Sequence, residues 1–391
     1  RLHVCTGSSL YAITLPAVAS CAGALIGFLR YNFPPARIYL GDGGAYFLGF
    51  LIGLLSMLHS HKGTVAAALI APLYAMTDTT PPRDRLEKPT LIYPFEKAPE
   101  VGEVVQVAPG VVWMRMPLPI TLNHINVWGL EDDNGWAIVD TGMQTEANLN
   151  AWRQIFANAT EQRPLTRIFV THMHPDHVGI AGWLTRKFKC RLWMTRLEYL
   201  NCRVLAADSG RQAPEDALSF YHRAGWSDGA IENYQARFGN FGKYIHALPE
   251  SYRRMKDGEI IPIGQHHWRV IVGTGHSPEH ACLYCEDLKL LISGDQVLPR
   301  ISSNVSVFPG EPEANPLLEW YASIHKLLQQ VPDDVLVLPS HNAPFRGLHE
   351  RLIRLREDQN RSMERLRQSL VQQALHTVEA FPALFNRDRL N

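Results

Sequence analysis

The stretch Thr171-His172-Met173-His174-Pro175-Asp176-His177-Val178-Gly179 limits what this chain can be more than any other. It puts three imidazoles and one carboxylate within six residues, directly after the apolar run Arg167 to Val170. One histidine at a strand end is ordinarily structural. Three at this spacing, together with an aspartate, form a ligand set. In an extended turn, His172 and His174 point to one side while Asp176 and His177 point to another, so the segment can feed two adjacent metal ions. Imidazole and carboxylate without thiolate suit Zn²⁺ or a similar borderline ion. Pro175 stiffens the turn.

Four ligands do not complete two sites, and three downstream positions supply the remainder. The candidates are His276 in Gly273-Thr274-Gly275-His276-Ser277-Pro278-Glu279-His280, Asp295 in Ser293-Gly294-Asp295, and His341 in Leu338-Pro339-Ser340-His341. Each follows a predicted strand, which allows all of them to meet at one edge of a sheet system. Strands are predicted at 111–114, 124–130, 136–140, 167–170, 191–194, 268–272, 281–285, 288–292 and 335–338, with helices over 145–159 and 317–329 between them. This is an α/β chain of many short strands. No Gly-x-Gly-x-x-Gly follows an early strand, which argues against a doubly wound nucleotide fold.

Taken together, these motifs resemble the metallo-β-lactamase superfamily over roughly residues 104–345. The resemblance implies an αββα sandwich with the site at one edge and two Zn²⁺ per chain, with Fe or Mn as alternatives. It assigns His172, His174 and His276 to the first ion, and Asp176, His177 and His341 to the second, with Asp295 bridging both. Asp140, in Val139-Asp140-Thr141-Gly142, matches a family motif that supports the ligands from behind, and Thr171 and His280 join it in that supporting role. Ser340-His341-Asn342 departs from the Gly-His-Gly of many relatives. Cys282-Leu283-Tyr284-Cys285 lies in a predicted strand that would turn the two thiols to opposite faces, so it reads as packing. His266-His267 reads as a turn.

Two Zn²⁺ ions about 3.5–4 Å apart hold a hydroxide at neutral pH. The expected reaction is therefore hydrolysis by a metal-bridging hydroxide, with Asp176 and Asp295 as the catalytic carboxylates. There is no Gly-x-Ser-x-Gly elbow to suggest a serine nucleophile. A bridging carboxylate at 295 is shared by thioesterases of the glyoxalase II type, lactonases and nucleases of the family. This points to a small ester, thioester or lactone, with β-lactam cleavage as a side activity. Phosphodiester or RNA cleavage is the other reading within the fold. The chain carries 38 Lys and Arg against 38 Asp and Glu. With no basic cluster near the site, a small acyl molecule is the expected partner and nucleic acid is not. Nothing in the sequence sets the oligomeric state.

Charge is distributed unevenly. Only six charged side chains fall in residues 1–78: Arg1, Arg30, Arg37, Asp42, Lys62 and Asp78. Val4 to Leu29 is uncharged, Gly43 to Ser60 likewise, and Gly63 to Met76 forms a third, shorter run. A membrane span needs about 20 such residues. Residues 1–78 are thus expected to be apolar, transmembrane-like helices, with membrane attachment through residues 1–76. Tyr31-Asn32-Phe33-Pro34-Pro35-Ala36 followed by Leu40-Gly41-Asp42-Gly43-Gly44 resembles the polyprenyl-phosphate N-acetylhexosamine-1-phosphate transferases. There Asp42 would match a carboxylate that works with Mg²⁺. The family's further helices and upstream Asp-rich motif are missing, so the segment is expected to be a truncated, inactive piece. A remnant of this kind with the hydrolase as passenger is the alternative from another functional class. The transferase likeness puts the hydrolase domain in the cytoplasm.

The Pro-rich residues 79–103 are expected to be an extended linker. Residues 196–252 lack strand pattern, carry nine aromatic side chains, and are too long for a structureless connection. A helical insertion is expected, either with its own aromatic core or capping the site. All seven ligands lie outside it, so the metal site is expected to be independent of it. Leu348, Leu352, Leu355, Met363, Leu366 and Leu370 mark an amphipathic helix over 348–375, with its arginines on a solvated face. Residues 346–391 resemble the start of a helical, winged-helix-like extension that stops unfinished at Asn391.

Overall fold

The computed structural model describes residues 91–158 and 163–385, all within the compact unit Pro89–Asn391. The expected apolar helices of residues 1–78, with Asp42, lie outside the described residues. Among the described residues no helix is long and apolar enough to cross a membrane.

Two sheets form the centre. The first runs β1 (Val105–Ala108), β2 (Val111–Pro117), β3 (His124–Asp132), β4 (Gly135–Val139), β5 (Leu165–Phe169), β6 (Arg191–Met194) and β7 (Arg253–Arg254) in sequence order. It is antiparallel up to β4 and parallel from β4 to β7. The second has the order β12 (Leu336–Pro339), β11 (Leu290–Gly294), β10 (His280–Cys285), β9 (His266–Gly273) and β8 (Ile260–Ile263). Only its β11–β12 pair is parallel.

The strands read as nearly continuous apolar runs because both faces of each sheet are covered. Trp113, Trp128 and Phe169 of the first sheet meet Trp268, Leu283, Ile292 and Leu338 of the second in one buried cluster. The outer face of the first sheet packs on α1 (Glu146–Asn158), α2 (Pro175–Val178), α3 (Ala181–Phe188) and α4 (Arg196–Ala207) through Trp152, Ile155, Val178, Leu184 and Tyr199. The outer face of the second packs on α7 (Pro316–Gln330) and α8 (Leu348–Gln372) through Trp320, Ile324, Leu348, Leu352 and Leu355. The result is the αββα order of layers. Trp113, Trp128, Trp152, Trp268 and Trp320 are all fully buried. Truncating any one to Ala costs about 3–5 kcal/mol.

Alternation along β10 puts Cys285 in the cluster between the sheets and Cys282 in the outer one. Both thiols are free, and burial pushes that of Cys282 up to about 12. Three local expectations are corrected. His266 and His267 open β9 and pair with Ile263 and Pro262, because the turn falls two residues earlier, at Gly264-Gln265. The expected linker packs on the fold from residue 91. Leu91 is buried beside Phe345 and Leu348, and Phe95 meets Trp113 edge-on at 6.0 Å. Arg351 does not lie on a solvated face. It is buried on α8 and donates to the carbonyls of Leu298 and Ile301, so its charge sits among backbone dipoles.

The insertion is helical, with α4, α5 (Glu215–Arg223) and α6 (Asp228–Arg237). Tyr221 packs on Trp226 at 4.2 Å and on Tyr234 at 4.6 Å, and Tyr234 reaches Phe238. These rings form a local core. The chain after α8 joins it, since the Val378 N–H donates to the Ala224 carbonyl.

Candidate metal centre

Strand direction assembles the site. β4 and β5 run parallel, as do β11 and β12, and β9 shares the direction of β11 because both are antiparallel to β10. Within each sheet these C-terminal ends therefore point the same way, and the residues that follow them converge. β4 is followed by Asp140, β5 by Thr171 to His177, β9 by His276, β11 by Asp295 and β12 by His341. The seven residues proposed as ligands from the sequence meet there in three overlapping groups: His172, His174 and His276; His172, His177 and Asp295; and Asp176, His177 and His341. Within each group the ligand atoms lie within 4.8 Å of one another.

Tautomers follow from the hydrogen-bond network. His276 Nδ1 faces the Asn304 carbonyl at 2.7 Å and His341 Nδ1 the His124 carbonyl at 2.9 Å. A carbonyl only accepts, so both Nδ1 atoms carry protons. His177 Nδ1 donates to Asp140 Oδ2 at 2.8 Å. The Thr171 hydroxyl gives its proton to the same Asp140 carboxylate and accepts from His172 Nδ1 at 3.0 Å. In the neutral form of each of these four rings the Nε2 lone pair is thus turned inward. His174 instead turns Nδ1 inward, 2.8 Å from His172 Nε2.

Two observations make this set fit metal ions. The unprotonated Nε2 atoms of His172 and His276 face each other at 3.2 Å, an arrangement that calls for a cation between lone pairs. His177 Nε2 and Asp295 Oδ1 are buried with no hydrogen-bond partner. Asp295 spans both groups. Its Oδ1 lies 3.5 Å from the Nε2 atoms of His177 and His341, and its Oδ2 lies 3.5 Å from His276 Nε2.

The electrostatics divide the cluster. Burial, reinforced by neighbouring rings, holds His172 well below the ordinary histidine pKa and lowers His174 to about 4. Burial also lowers His276. Burial pulls down on His177 and His341 as well, but the carboxylates win. Asp176, Asp140 and Asp295 raise His177 well above its ordinary value, and Asp295 with Asp176 raises His341 to about 10. Burial pushes Asp295 up, yet His177 and His341 hold it well below the usual carboxylate range.

The supporting residues are specific. Asp140 adopts a left-handed backbone (φ 61°), uncommon for a non-glycine residue and retained where neighbours over-determine it. Its carboxylate accepts from the Thr171 N–H and hydroxyl and from His177 Nδ1. His280 stacks on His172, but its Nε2 accepts the Asp295 N–H at 3.1 Å, so its inner lone pair is spent on backbone. Gly294 (φ 52°) is needed there, since a Cβ would stand 2.4 Å from His280 Nε2. Asn342 explains the departure at Ser340-His341-Asn342. Its φ is 71°, and Asn tolerates the left-handed region best after glycine.

Sequence reasoning missed His124, whose Nε2 accepts the Asn342 N–H, and Asn126, whose amide donates to the carbonyls of Pro339 and Asn342. It also missed Glu198. Through that residue the insertion touches the loops that carry His172, His174 and His276. Glu198 stands in α4 and accepts from the Met173 N–H, the Ser277 hydroxyl and the Glu279 N–H.

A family model described as the metallo-beta-lactamase superfamily matches residues 120–341. The chain belongs to that superfamily. The fold is similar to a beta-lactamase domain protein from Burkholderia ambifaria, with 41% identity, 75% of this chain and 88% of that one covered, and a TM-score of 0.68. It is also similar to a metallo-beta-lactamase family protein from Thermus thermophilus, with 23% identity, coverage of 72% and 90%, and a TM-score of 0.61. A probable metallo-hydrolase of Bacillus subtilis is 23% identical over 71% of this chain and 87% of its own length. Superfamily membership and these relatives make the protein a hydrolase. Residues 3–60 match the model of glycosyl transferase family 4. Over 64 residues the chain is 38% identical to a probable undecaprenyl-phosphate N-acetylglucosaminyl 1-phosphate transferase of Bacillus subtilis, covering 17% of that protein. The chain is thus transferase-like at its start and a superfamily hydrolase after it.

Proposed function

We propose that this hydrolase uses two Zn²⁺ ions to cleave a small ester, thioester or lactone. His172, His174 and His276 would hold one ion and Asp176, His177 and His341 the other, with Asp295 shared. The observation that carries the reading is Asp295 itself, whose two oxygens face histidines of both groups at 3.5 Å. When bound, paired ions supply Lewis acidity to the scissile carbonyl and lower the pKa of water.

The chain's own groups do the rest. Asp140, Thr171 and the carbonyls of Asn304 and His124 fix the rings through Nδ1, which keeps each inner lone pair on target. Asp176 is the more exposed carboxylate, 17% against 11% for Asp295. It orients the attacking water, takes its proton and passes it to the leaving alkoxide or thiolate as the acyl C–O or C–S bond breaks. Leu197, Leu200 and Val204 of α4, and Ile301, Val307 and Phe308 after Asp295, are exposed apolar side chains on segments that start at the site. They favour an acyl group over a nucleic acid. The N-terminal transferase likeness supports membrane attachment through residues 1–76 with the hydrolase domain on the cytoplasmic side.

The test is metal analysis of the full chain beside rates on ester, thioester, lactone, β-lactam and phosphodiester substrates. About two Zn²⁺ per chain and fastest turnover of an acyl substrate are expected. One ion or none in metal-replete protein, or preference for the β-lactam or phosphodiester, defeats the reading.

A further inference from the structure

Thr195-Arg196-Leu197-Glu198 has the Ser/Thr-x-x-Glu pattern of a helix capping box, in which threonine and glutamate satisfy each other's backbone N–H groups. At the start of α4 neither side chain does this. The Thr195 side chain makes no capping bond, and its hydroxyl donates to the Glu279 carbonyl at 2.7 Å. Glu198 turns away from its own helix and is fully buried. Its Oε1 accepts from Ser277 Oγ at 2.6 Å and from the Glu279 N–H at 2.8 Å, while Oε2 accepts the Met173 N–H at 2.9 Å. The loop returns the bond, because Glu279 Oε2 accepts the Leu197 N–H at 2.8 Å and so caps α4 from outside.

The partners' places in the chain give this exchange its meaning. Met173 stands between His172 and His174, and Ser277 directly follows His276. One carboxylate therefore ties together the two loops that carry the three-histidine group, and it is supplied by the insertion. A carboxylate buried against three donors is a costly way to cap a helix that a simple capping box would serve. It is an economical way to hold two loops in register.

We propose that Glu198 is a positioning residue for the His172, His174 and His276 group, and that through it the insertion sets that group's affinity for its ion. This rests on the metal reading above. The hydrogen bonds of Glu198 go to Met173, Ser277 and Glu279 and to none of Asp176, His177 or His341, so the ion these would hold should respond to it far less.

The test is Zn²⁺ competition against a chromophoric chelator on the dialysed full chain, with circular dichroism as the folding check. Glu198→Gln keeps the shape but turns an amide NH₂ toward either the Met173 N–H or the Ser277 and Glu279 donors. It should weaken one of the two ions by about 10–100-fold, the usual effect of losing a residue that supports a ligand, and leave the other within about threefold. Ser277→Ala should move the same ion in the same direction by less. Tyr199→Phe removes a hydrogen bond to the Pro249 carbonyl from the same helix without touching the clamp, and both ions should bind it as they bind the wild type. Equal weakening of both ions, or wild-type affinities in Glu198→Gln, would overturn the proposal. If the wild type itself binds no Zn²⁺, the metal reading falls and the inference falls with it.

Discussion

The His172, His174 and His276 group and the Asp176, His177 and His341 group are built from the same ring under opposite electrostatics. In the first, burial dominates and the rings resist protonation, with His174 lowered to about 4. In the second, Asp176, Asp140 and Asp295 overcome a comparable burial, and His341 rises to about 10. Where the rings stay neutral, unshared lone pairs converge, and nothing but a cation relieves them. Where carboxylates stand among the rings, protons can serve in a metal's place. The first group is therefore the more dependent on its ion, and the second can persist as a network of charged pairs.

The largest effect should come from the residue that belongs to both halves of the three-histidine and bridging groups. His172 lies with His174 and His276 in one and with His177 and Asp295 in another. His172→Ala should bring hydrolysis down to the uncatalysed background while the circular dichroism spectrum is retained, because the sandwich core of Trp113, Trp128 and Trp268 does not rest on the site. Retained activity would show that hydrolysis does not need the three-histidine group. Asp295→Asn comes next. It keeps the shape, removes the charge that faces both groups, and should cost about a hundredfold in rate, with metal content falling below two per chain. A full complement of metal in that variant would mean that Asp295 is not a bridge.

Asp140→Asn tests the support rather than the ligands. Asn accepts the left-handed backbone at 140, so the change is one of charge and hydrogen bonding and not of strain. An amide cannot accept from Thr171 and His177 as a carboxylate does. Loss should be about tenfold in rate or metal affinity. It should fall on the ion held by His177 more than on the one held by His174 and His276, which make no contact with Asp140.

How much of this was legible in the sequence follows from what kind of contact is involved. The ligands announced themselves because imidazoles and carboxylates clustered right after apolar strands, and parallel strand direction then brought those ends together. The faces of Cys282 and Cys285 followed from simple alternation. Glu198, Asn304 and His124 were invisible because their bonds are made largely to or through backbone N–H and C=O groups, which carry no residue identity. The linker was misjudged because Leu91 and Phe95 lie in a short apolar cluster broken by Pro94, with no period to mark them as core. Arg351 was misjudged because a charged residue in an amphipathic helix gives no sign that two loop carbonyls await it.

The smallest expected effect isolates the electrostatic contrast, and it needs the protein stripped of metal by chelator. For His174 the folded-state pKa lies below the unfolded value near 6.5. As pH falls from 6.5 toward 4 the unfolded chain takes up a proton that the folded chain refuses, so stability declines on the acid side. His172 and His276 act in the same sense. For His341 the folded-state value lies above. Its contribution is complete below pH 6.5 and is lost as pH rises through about 10, and His177 again follows the same sign. The two groups should therefore give metal-free protein a stability maximum near pH 6.5, declining on each side for a different reason. His174→Ala should flatten the acid side and His341→Ala the alkaline side, each by about 3 °C in Tm at the far end of its limb. Adding Zn²⁺ should remove the alkaline decline in the wild type, since a ligating ring must be neutral and gains nothing from a proton. If either variant flattens the wrong limb, the assignment of neutral rings to one group and charged rings to the other is reversed.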